Sequence, residues 1–257
     1  MKTLTFKDKM MVAGHKGNCV KKCENAMPAF RAAVEDGTDM IECDVSLTKD
    51  LVPILMQDET LERTTLGTGK VCEMTYEEIL KVNAKGSTEE EQIKVPKLEE
   101  LLELLRDSGV MLNLEIKEYY REGTNKERCE ICCDKCVELV EKYGLGEKMV
   151  FNSFDAYPLE YIDSKFPGKY LYHGFYPYTS MANKTRNPDE YLFCACIFDD
   201  GNKQLYDELI EKGIQPWVGA GVKTKDHLAK CIEYGARLVT TDNPEATLGQ
   251  LCELGIR

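Results

Sequence analysis

The chain has 257 residues, of which 43% are hydrophobic and 30% charged, and this composition excludes an intrinsically disordered protein. No stretch approaches the roughly 20 consecutive apolar residues that a membrane span requires. The formal net charge of −12 disfavours nonspecific nucleic-acid binding, which depends on a basic surface. It does not exclude a small anionic ligand, because a local cation can reverse the field inside one pocket.

The chain contains 12 cysteines, and its N-terminal segment MKTLTFKDKMMVAGH lacks an uninterrupted apolar signal core. Disulfide frameworks are typical of short secreted chains, whereas this chain is long. We therefore expect reduced thiols and a cytoplasmic location. The sequence gives no basis for predicting an oligomeric state.

Short β-rich runs alternate with helical stretches along almost the whole chain. Eight strands are predicted, at residues 9–13, 40–47, 110–117, 148–153, 169–173, 191–198, 214–218 and 236–240. Helices are predicted at 99–107, 203–212 and 225–234, and Pro244 opens a last one. Eight strand–helix repeats in a chain of this length predict one α/β domain over residues 1–257, a (β/α)8 TIM barrel.

Residues 48–98 interrupt this rhythm, because about fifty residues are too many for a simple barrel loop. The segment contains Gly67, Gly69 and Gly86, a helix-like stretch at 75–82 and the polar run STEEEQ. We predict a small insertion after strand two, folded over one end of the barrel.

Acidic side chains share one face of two predicted strands. Side chains alternate along a strand, so Glu42 and Asp44 point the same way, as do Asn113, Glu115 and Lys117. Carboxylate side chains that point into the interior of a barrel need a cation to neutralise them. Hard carboxylate oxygens suit Mg²⁺ or Ca²⁺. The alternative is surface salt bridging at exposed strand ends.

The first predicted strand runs into Gly14-His15-Lys16-Gly17. Barrel enzymes place catalytic groups at the carboxyl ends of strands, and flanking glycines let the backbone come close. His15 could exchange a proton near neutral pH, and Lys16 could hold an anion. The alternative is a structural histidine in a glycine turn.

These residues carry a resemblance to the glycerophosphodiester phosphodiesterase family that runs almost from end to end. The matching motifs are Gly14-His15-Lys16-Gly17, Cys23-Glu24-Asn25, Ile41-Glu42-Cys43-Asp44-Val45, Leu47-Thr48-Lys49-Asp50, Asp58-Glu59-Thr60-Leu61-Glu62-Arg63-Thr64-Thr65 with Gly67 and Gly69, Asn113-Leu114-Glu115-Ile116-Lys117, Ser153-Phe154, Trp217 and Thr241-Asp242-Asn243-Pro244. Members of that family are barrels with an insertion after strand two, which agrees with the predicted barrel and with the segment 48–98.

The resemblance implies a site for hydrolysis of a small-molecule phosphodiester. By it, Glu42, Asp44 and Glu115 hold one divalent cation, Mg²⁺ or Ca²⁺, while Lys16 and Lys117 help bind the phosphate. The family transfers protons with two histidines. His15 matches the first, and the second position holds Gln57.

Gln57 changes the expected chemistry, because an amide cannot transfer a full proton near pH 7 and general acid–base catalysis is worth roughly 10²–10⁴-fold. Lysine at position 16, where the family has arginine, loses the planar two-pronged contact. Trp217 is followed by Val-Gly-Ala-Gly, so we predict an altered substrate pocket that Trp217 helps to line.

Two other histidines are candidates for the missing role. His173, predicted to end strand 169–173, could face the same end of the barrel and contact the phosphate; the alternative is a packing residue. His227, near the start of a helix, is expected to face solvent.

A cluster of four cysteines invites a metal-site interpretation. Cys129, Cys132, Cys133 and Cys136 are spaced i, i+3, i+4 and i+7, which is the apolar stripe of one helix. Thiolates spread along a straight helix cannot close a tetrahedron on one ion, so we predict core packing.

Three functional hypotheses remain open. The first is a metal-dependent phosphodiesterase that releases an alcohol and a phosphomonoester, glycerol 3-phosphate in the family. The second keeps the metal site but uses intramolecular attack to give a cyclic phosphate. The third is a diverged member that binds a phosphodiester with weak or no turnover.

Overall fold

A computed structural model describes residues 10–257, in which eight parallel strands close into a barrel. The strands are β1 (Met11–His15), β2 (Met40–Leu47), β3 (Pro53–Leu55), β4 (Met111–Ile116), β5 (Met149–Asn152), β6 (Leu171–Tyr176), β7 (Cys194–Ile197), β8 (Gln215–Val218) and β9 (Leu238–Thr241). β1 pairs with both β2 and β9, which closes the ring, and the short β3 pairs antiparallel with the end of β2. The predicted (β/α)8 TIM barrel is confirmed.

Helices surround the ring. They are α1 (Met27–Glu35), α2 (Tyr76–Ile79), α3 (Leu98–Leu105), α4 (Lys126–Lys142), α5 (Ala156–Lys165), α6 (Lys203–Glu211), α7 (Lys225–Glu233) and α8 (Pro244–Glu253). The connection from β6 to β7 instead contains two 3₁₀ turns, Tyr178–Ser180 and Pro188–Glu190. Within residues 10–257, no helix is both apolar enough and long enough to cross a bilayer.

Side-chain caps fix the loops at the carboxyl ends of the strands. Asp155, Asn202, Thr224 and Asn243 each accept a hydrogen bond from a backbone N–H in the first turn of α5, α6, α7 and α8, respectively. Such caps stabilise a helix by about 1 kcal/mol each. Because every one of these helices starts just after a strand ends, the caps also anchor the rim of the barrel.

Strand boundaries differ from the predictions where pairing across the sheet decides them. The first predicted strand, 9–13, begins at Lys9, which lies outside the described residues, and β1 extends to His15. The prediction that a strand ends at His173 is wrong. Gly174, Phe175 and Tyr176 continue β6 by pairing with Ala195, Cys196 and Ile197 of β7, so the apparent glycine break is part of the ladder.

Residues 48–98 form their own small layer beside the barrel. β3 pairs antiparallel with the end of β2, and α2 occupies part of the helix-like stretch and begins with a capping box between Thr75 and Glu78. A separate apolar cluster holds the segment together, consisting of Ile54, Met56, Leu61, Val71, Ile79 and Val95. This packing keeps the residues after β3 in place against the mouth.

The cysteine stripe lies in α4. Cys129, Cys132, Cys133 and Cys136 are all buried in the main core, and all 12 cysteines of the chain are free thiols. The prediction of core packing is confirmed, with cysteine serving as a small hydrophobe.

Candidate active site

Three buried carboxylates meet at the carboxyl ends of β2 and β4. Glu42 and Asp44 lie two residues apart on β2, and the register places Asp44 directly beside Glu115 of β4. One ligand oxygen from each of the three lies within 4.8 Å of the others. The predicted alternation is therefore correct, because all three side chains point into the barrel rather than onto its surface.

Burial and mutual repulsion disturb the ionisation of this group. Loss of hydration, followed by repulsion from Asp44, raises the pKa of Glu42 to about 8. Loss of hydration also raises the pKa of Glu115, although the nearby Lys117 ammonium opposes the shift. Acids in this state are under-neutralised, which is the electrostatic condition of a cation site.

Lys117, immediately after β4, supplies a positive charge. Its Nζ lies 3.0 Å from Asp44 Oδ1 and also forms an ion pair with Glu115. Burial alone would lower the pKa of Lys117, but the charges of Asp44 and Glu115 raise it above the usual value, so the ammonium stays charged. One ammonium therefore faces three acids.

Neutral side chains hold the carboxylates in position. Asn25 Nδ2 donates to Asp44 Oδ2 at 2.8 Å, and Asn25 Oδ1 accepts from the Asp44 backbone N–H at 3.2 Å. Tyr119 Oη donates to Glu115 Oε1 at 3.2 Å. The motif Cys23-Glu24-Asn25 contained the signal for Asn25, but the sequence analysis gave that residue no role.

His15 is the last residue of β1 and reaches the same cluster. Its Nδ1 lies 2.7 Å from Asp242 Oδ1, and its Nε2 lies 3.9 Å from Glu42 Oε2. Burial alone would lower the pKa of His15, but the hydrogen bond to Asp242 and the charge of Glu42 raise it above 6.5. Asp242 thus orients His15 and favours its charged form. The sequence analysis quoted Asp242 in a motif but assigned it no function.

Lys16 adopts a left-handed backbone conformation with φ 56°, which turns the chain back over the acids. Its backbone N–H lies 2.8 Å from the Glu42 carbonyl oxygen and 3.1 Å from Glu42 Oε2. The Nζ of Lys16 lies 3.2 Å from Glu24 Oε1, and Glu24 also binds Arg63 through two hydrogen bonds of 2.7 and 2.8 Å. Glu24 and Arg63 are contacts that the sequence analysis missed.

Gln57 follows β3 and lines the mouth on the side of the insertion. It borders a cavity of about 240 Å³ together with Lys117, Tyr119, Arg121 and Arg128. The position predicted for the second proton-transfer group therefore opens onto the same space as the phosphate-binding candidate Lys117.

His173 and Trp217 lie inside the barrel beneath the mouth. Their rings stack with centroids 4.1 Å apart, and their exposed fractions are 3% and 0%. Asn113 bonds to His173 Nδ1 at 3.0 Å, and loss of hydration lowers the pKa of His173 to about 3. A neutral, buried imidazole is not a replacement for the missing proton-transfer histidine. Contact of His173 and Trp217 with substrate stays a prediction.

Comparisons with known proteins identify relatives of this chain. A model of the glycerophosphoryl diester phosphodiesterase family matches residues 14–246. A glycerophosphodiester phosphodiesterase from Caldanaerobacter subterraneus is 29% identical over 248 residues, covering 93% of this chain and 97% of that protein. One from Bacillus altitudinis is 35% identical over 187 residues, covering 70% of this chain and 68% of the relative.

A solved structure shows the same fold at lower identity. The Oleispira antarctica phosphodiesterase in complex with its product sn-glycerol-3-phosphate is 21% identical and aligns with a TM-score of 0.80. The alignment covers 95% of this chain and 97% of that one.

Proposed function

Because this chain belongs to the glycerophosphoryl diester phosphodiesterase family, a family of phosphoric diester hydrolases, we propose that it hydrolyses a small glycerophosphodiester in a cation-dependent reaction. The products would be an alcohol and a phosphomonoester, and sn-glycerol-3-phosphate, the product bound in the Oleispira antarctica phosphodiesterase, is a phosphomonoester. The convergence of Glu42, Asp44 and Glu115 is the observation that carries the proposal.

The acid cluster fits a divalent cation of the hard class. Its candidate ligands are all carboxylate oxygens, which Mg²⁺ and Ca²⁺ prefer. The raised pKa values of Glu42 and Glu115 show that Lys117 alone does not neutralise the group. When bound, a divalent cation supplies Lewis-acid polarisation of a phosphoryl oxygen.

His15 is assigned to proton transfer. Asp242 fixes Nδ1 and leaves Nε2 directed toward the acids, where the scissile phosphate would sit. The hydrogen bond to Asp242 and the charge of Glu42 raise the pKa of His15, so its neutral imidazole is a stronger base and can accept the proton that an attacking water loses.

Lys117 and Lys16 are assigned to the charge of the phosphate. Lys117 contacts Asp44 and also borders the cavity, so its ammonium can attract an anion bound there. Lys16 is held by Glu24, which orients its ammonium and also reduces the charge available to substrate.

With glutamine at position 57, the site lacks a proton donor for the leaving group at that position. A glutamine can hydrogen-bond a phosphate oxygen, but it cannot supply a proton to an alkoxide. This residue favours two further candidates, namely a family member that binds a diester with little turnover and one that releases a cyclic phosphate by intramolecular attack.

A comparison of two substrate types tests these assignments. Turnover of glycerophosphodiesters and of an aryl phosphodiester would be measured with Mg²⁺ and with Ca²⁺, and with EDTA as control. Aryl cleavage alone points to the missing acid, because an aryl oxide departs without protonation. Gln57→His should then raise alkyl turnover. Binding without cleavage of either substrate supports the binding candidate, and a cyclic product supports intramolecular attack.

We further propose a reducing compartment such as the cytoplasm. Its support is that all 12 cysteines are free, although several lie close together in α4.

A further inference from the structure

A second group of metal-ligating side chains lies across the barrel from the acids. Asp200 is in the loop after β7, and His227 and Cys231 are on α7. One ligand atom from each of the three lies within 4.8 Å of the others. β7 is four strands away from β2 in either direction around the ring, so this group is separate from the acid cluster.

The helix and the loop hold these side chains on one face. His227 and Cys231 are four residues apart, which places them one turn above each other on α7. The Thr224 cap fixes the first turn by accepting a hydrogen bond from the His227 backbone N–H. Tyr206 Oη donates to the Asp200 carbonyl oxygen at 2.8 Å, which ties the loop to α6.

His227 is partly exposed, and its ring contacts the loop after β7. Its Nε2 lies 2.8 Å from Asp200 Oδ1, and the exposed fraction of its side chain is 35%. The expectation that His227 faces solvent is therefore wrong for its ring nitrogen. Cys231 lies beneath the pair and is fully buried.

We propose that Asp200, His227 and Cys231 form a zinc site. An imidazole nitrogen, a thiolate and a carboxylate are the ligands that Zn²⁺ combines in tetrahedral sites, and three protein ligands leave a fourth position for water. Zn–ligand bonds of roughly 2.0–2.3 Å require ligand atoms roughly 3.3–3.8 Å apart. The Asp200–His227 pair would open slightly to admit the ion. Mg²⁺ and Ca²⁺ would be disfavoured, because they prefer all-oxygen sets.

Zinc at this position would also fix part of the mouth. Phe198 lies two residues before Asp200 and is exposed, and its ring stacks on Phe175 with centroids 5.6 Å apart. Phe154 completes this aromatic wall, and Lys117 Nζ lies 5.8 Å from its ring centroid. An ion bridging the loop and α7 would therefore hold the loop that carries Phe198.

Cobalt spectroscopy tests the proposal, since Co²⁺ bound to a thiolate gives a near-ultraviolet charge-transfer band. Tag-free, fully reduced protein would be titrated with Co²⁺ and then with Zn²⁺. We expect a band that saturates at one equivalent and disappears as Zn²⁺ displaces the cobalt. Asp44→Asn, which removes an acid of the other cluster, should keep the band.

Ligand variants make the result specific. Cys231→Ser should lose the band, whereas Cys252→Ser, which alters an exposed cysteine of α8, should keep it. His227→Gln changes a partly exposed ligand instead of the buried Cys231. It should weaken zinc affinity by more than the roughly 10–100-fold lost when a residue that hydrogen-bonds to a metal ligand is changed. Absence of a band in the parent protein, or a band unchanged in Cys231→Ser, would overturn the proposal. So would unchanged zinc affinity in folded His227→Gln.

Discussion

On both sides of the barrel interior, alternate side chains of each strand point inward, but those on one side are acidic and those on the other are neutral and aromatic. On the side of β2 and β4, the inward positions carry Glu42, Asp44 and Glu115, three acids that lie beside the Lys117 ammonium and the His15 imidazole. On the side of β6 and β8, the inward positions carry His173 and Trp217, which are stacked, buried and uncharged.

This difference indicates which side is built for a ligand and which for support. Buried like charges destabilise a protein unless a cation or a proton neutralises them, and on this ground the acid side is the one proposed to bind a cation. A neutral aromatic stack is stable without one and supplies a rigid floor under the mouth. The following variants test this division, beginning with the largest expected effect.

Asp44→Asn removes a central acid while keeping its shape. We expect kcat/KM to fall by at least about 10³-fold, because cation polarisation of a phosphoryl oxygen is worth several kcal/mol. Turnover would be measured over a range of Mg²⁺ and Ca²⁺ concentrations. Asp107→Asn, an exposed acid paired with Arg106, is the matched control and should not change the rate. A fall of less than tenfold in Asp44→Asn would contradict the assignment.

His15→Gln removes the proton-transfer group. We expect kcat to fall by roughly 10²–10³-fold on an alkyl diester. The fall should be similar on an aryl diester, because the attacking water must lose a proton with either substrate. A loss confined to the alkyl diester would instead indicate that His15 protonates the leaving group, and no loss on either substrate would contradict the assignment.

Glu42→Gln should stabilise the protein in EDTA. The folded-state pKa of Glu42, about 8, exceeds the ordinary value of 4.5, so its contribution to folding becomes less favourable as pH rises between those values. Near pH 7 the variant should gain about 2–3 kcal/mol in unfolding free energy, measured by urea denaturation. Glu35→Gln, an exposed acid of α1, is the control. Equal pH slopes for parent and Glu42→Gln would argue against a strained acid cluster.

His173→Phe should have the opposite pH signature. The pKa of His173 falls from 6.5 to about 3 on folding, so the unfolded chain binds the extra proton and stability is lost as pH drops below 6.5. Between pH 7 and pH 5 this loss is about 2 kcal/mol, and His173→Phe should remove it. The measurement is the change in unfolding free energy between pH 7 and pH 5, compared between parent and variant. Loss of the Asn113 contact lowers the stability equally at both pH values and therefore does not affect this comparison. A parent protein with no greater slope would show that His173 does not stay neutral on folding.

The sequence predicted the acid side better than the aromatic side. Alternation along 40–47 placed Glu42 and Asp44 on one face, and the observed β2 has those bounds. Local pattern could not show that Gly174 continues β6, because the deciding partners are on β7. Nor could it show that Asp242 holds His15 or that Asp200 meets His227, since only the closed ring and its capped loops bring these distant residues together.

Calorimetric titration of the EDTA-treated, dialysed protein with Mg²⁺ and with Ca²⁺ tests the acid cluster most directly. The account predicts one binding event at or below millimolar concentration that is lost in Asp44→Asn and in Glu115→Gln but retained in His173→Phe. Absence of binding of either ion at millimolar concentration, or equal binding to the parent and both acid variants, would contradict it.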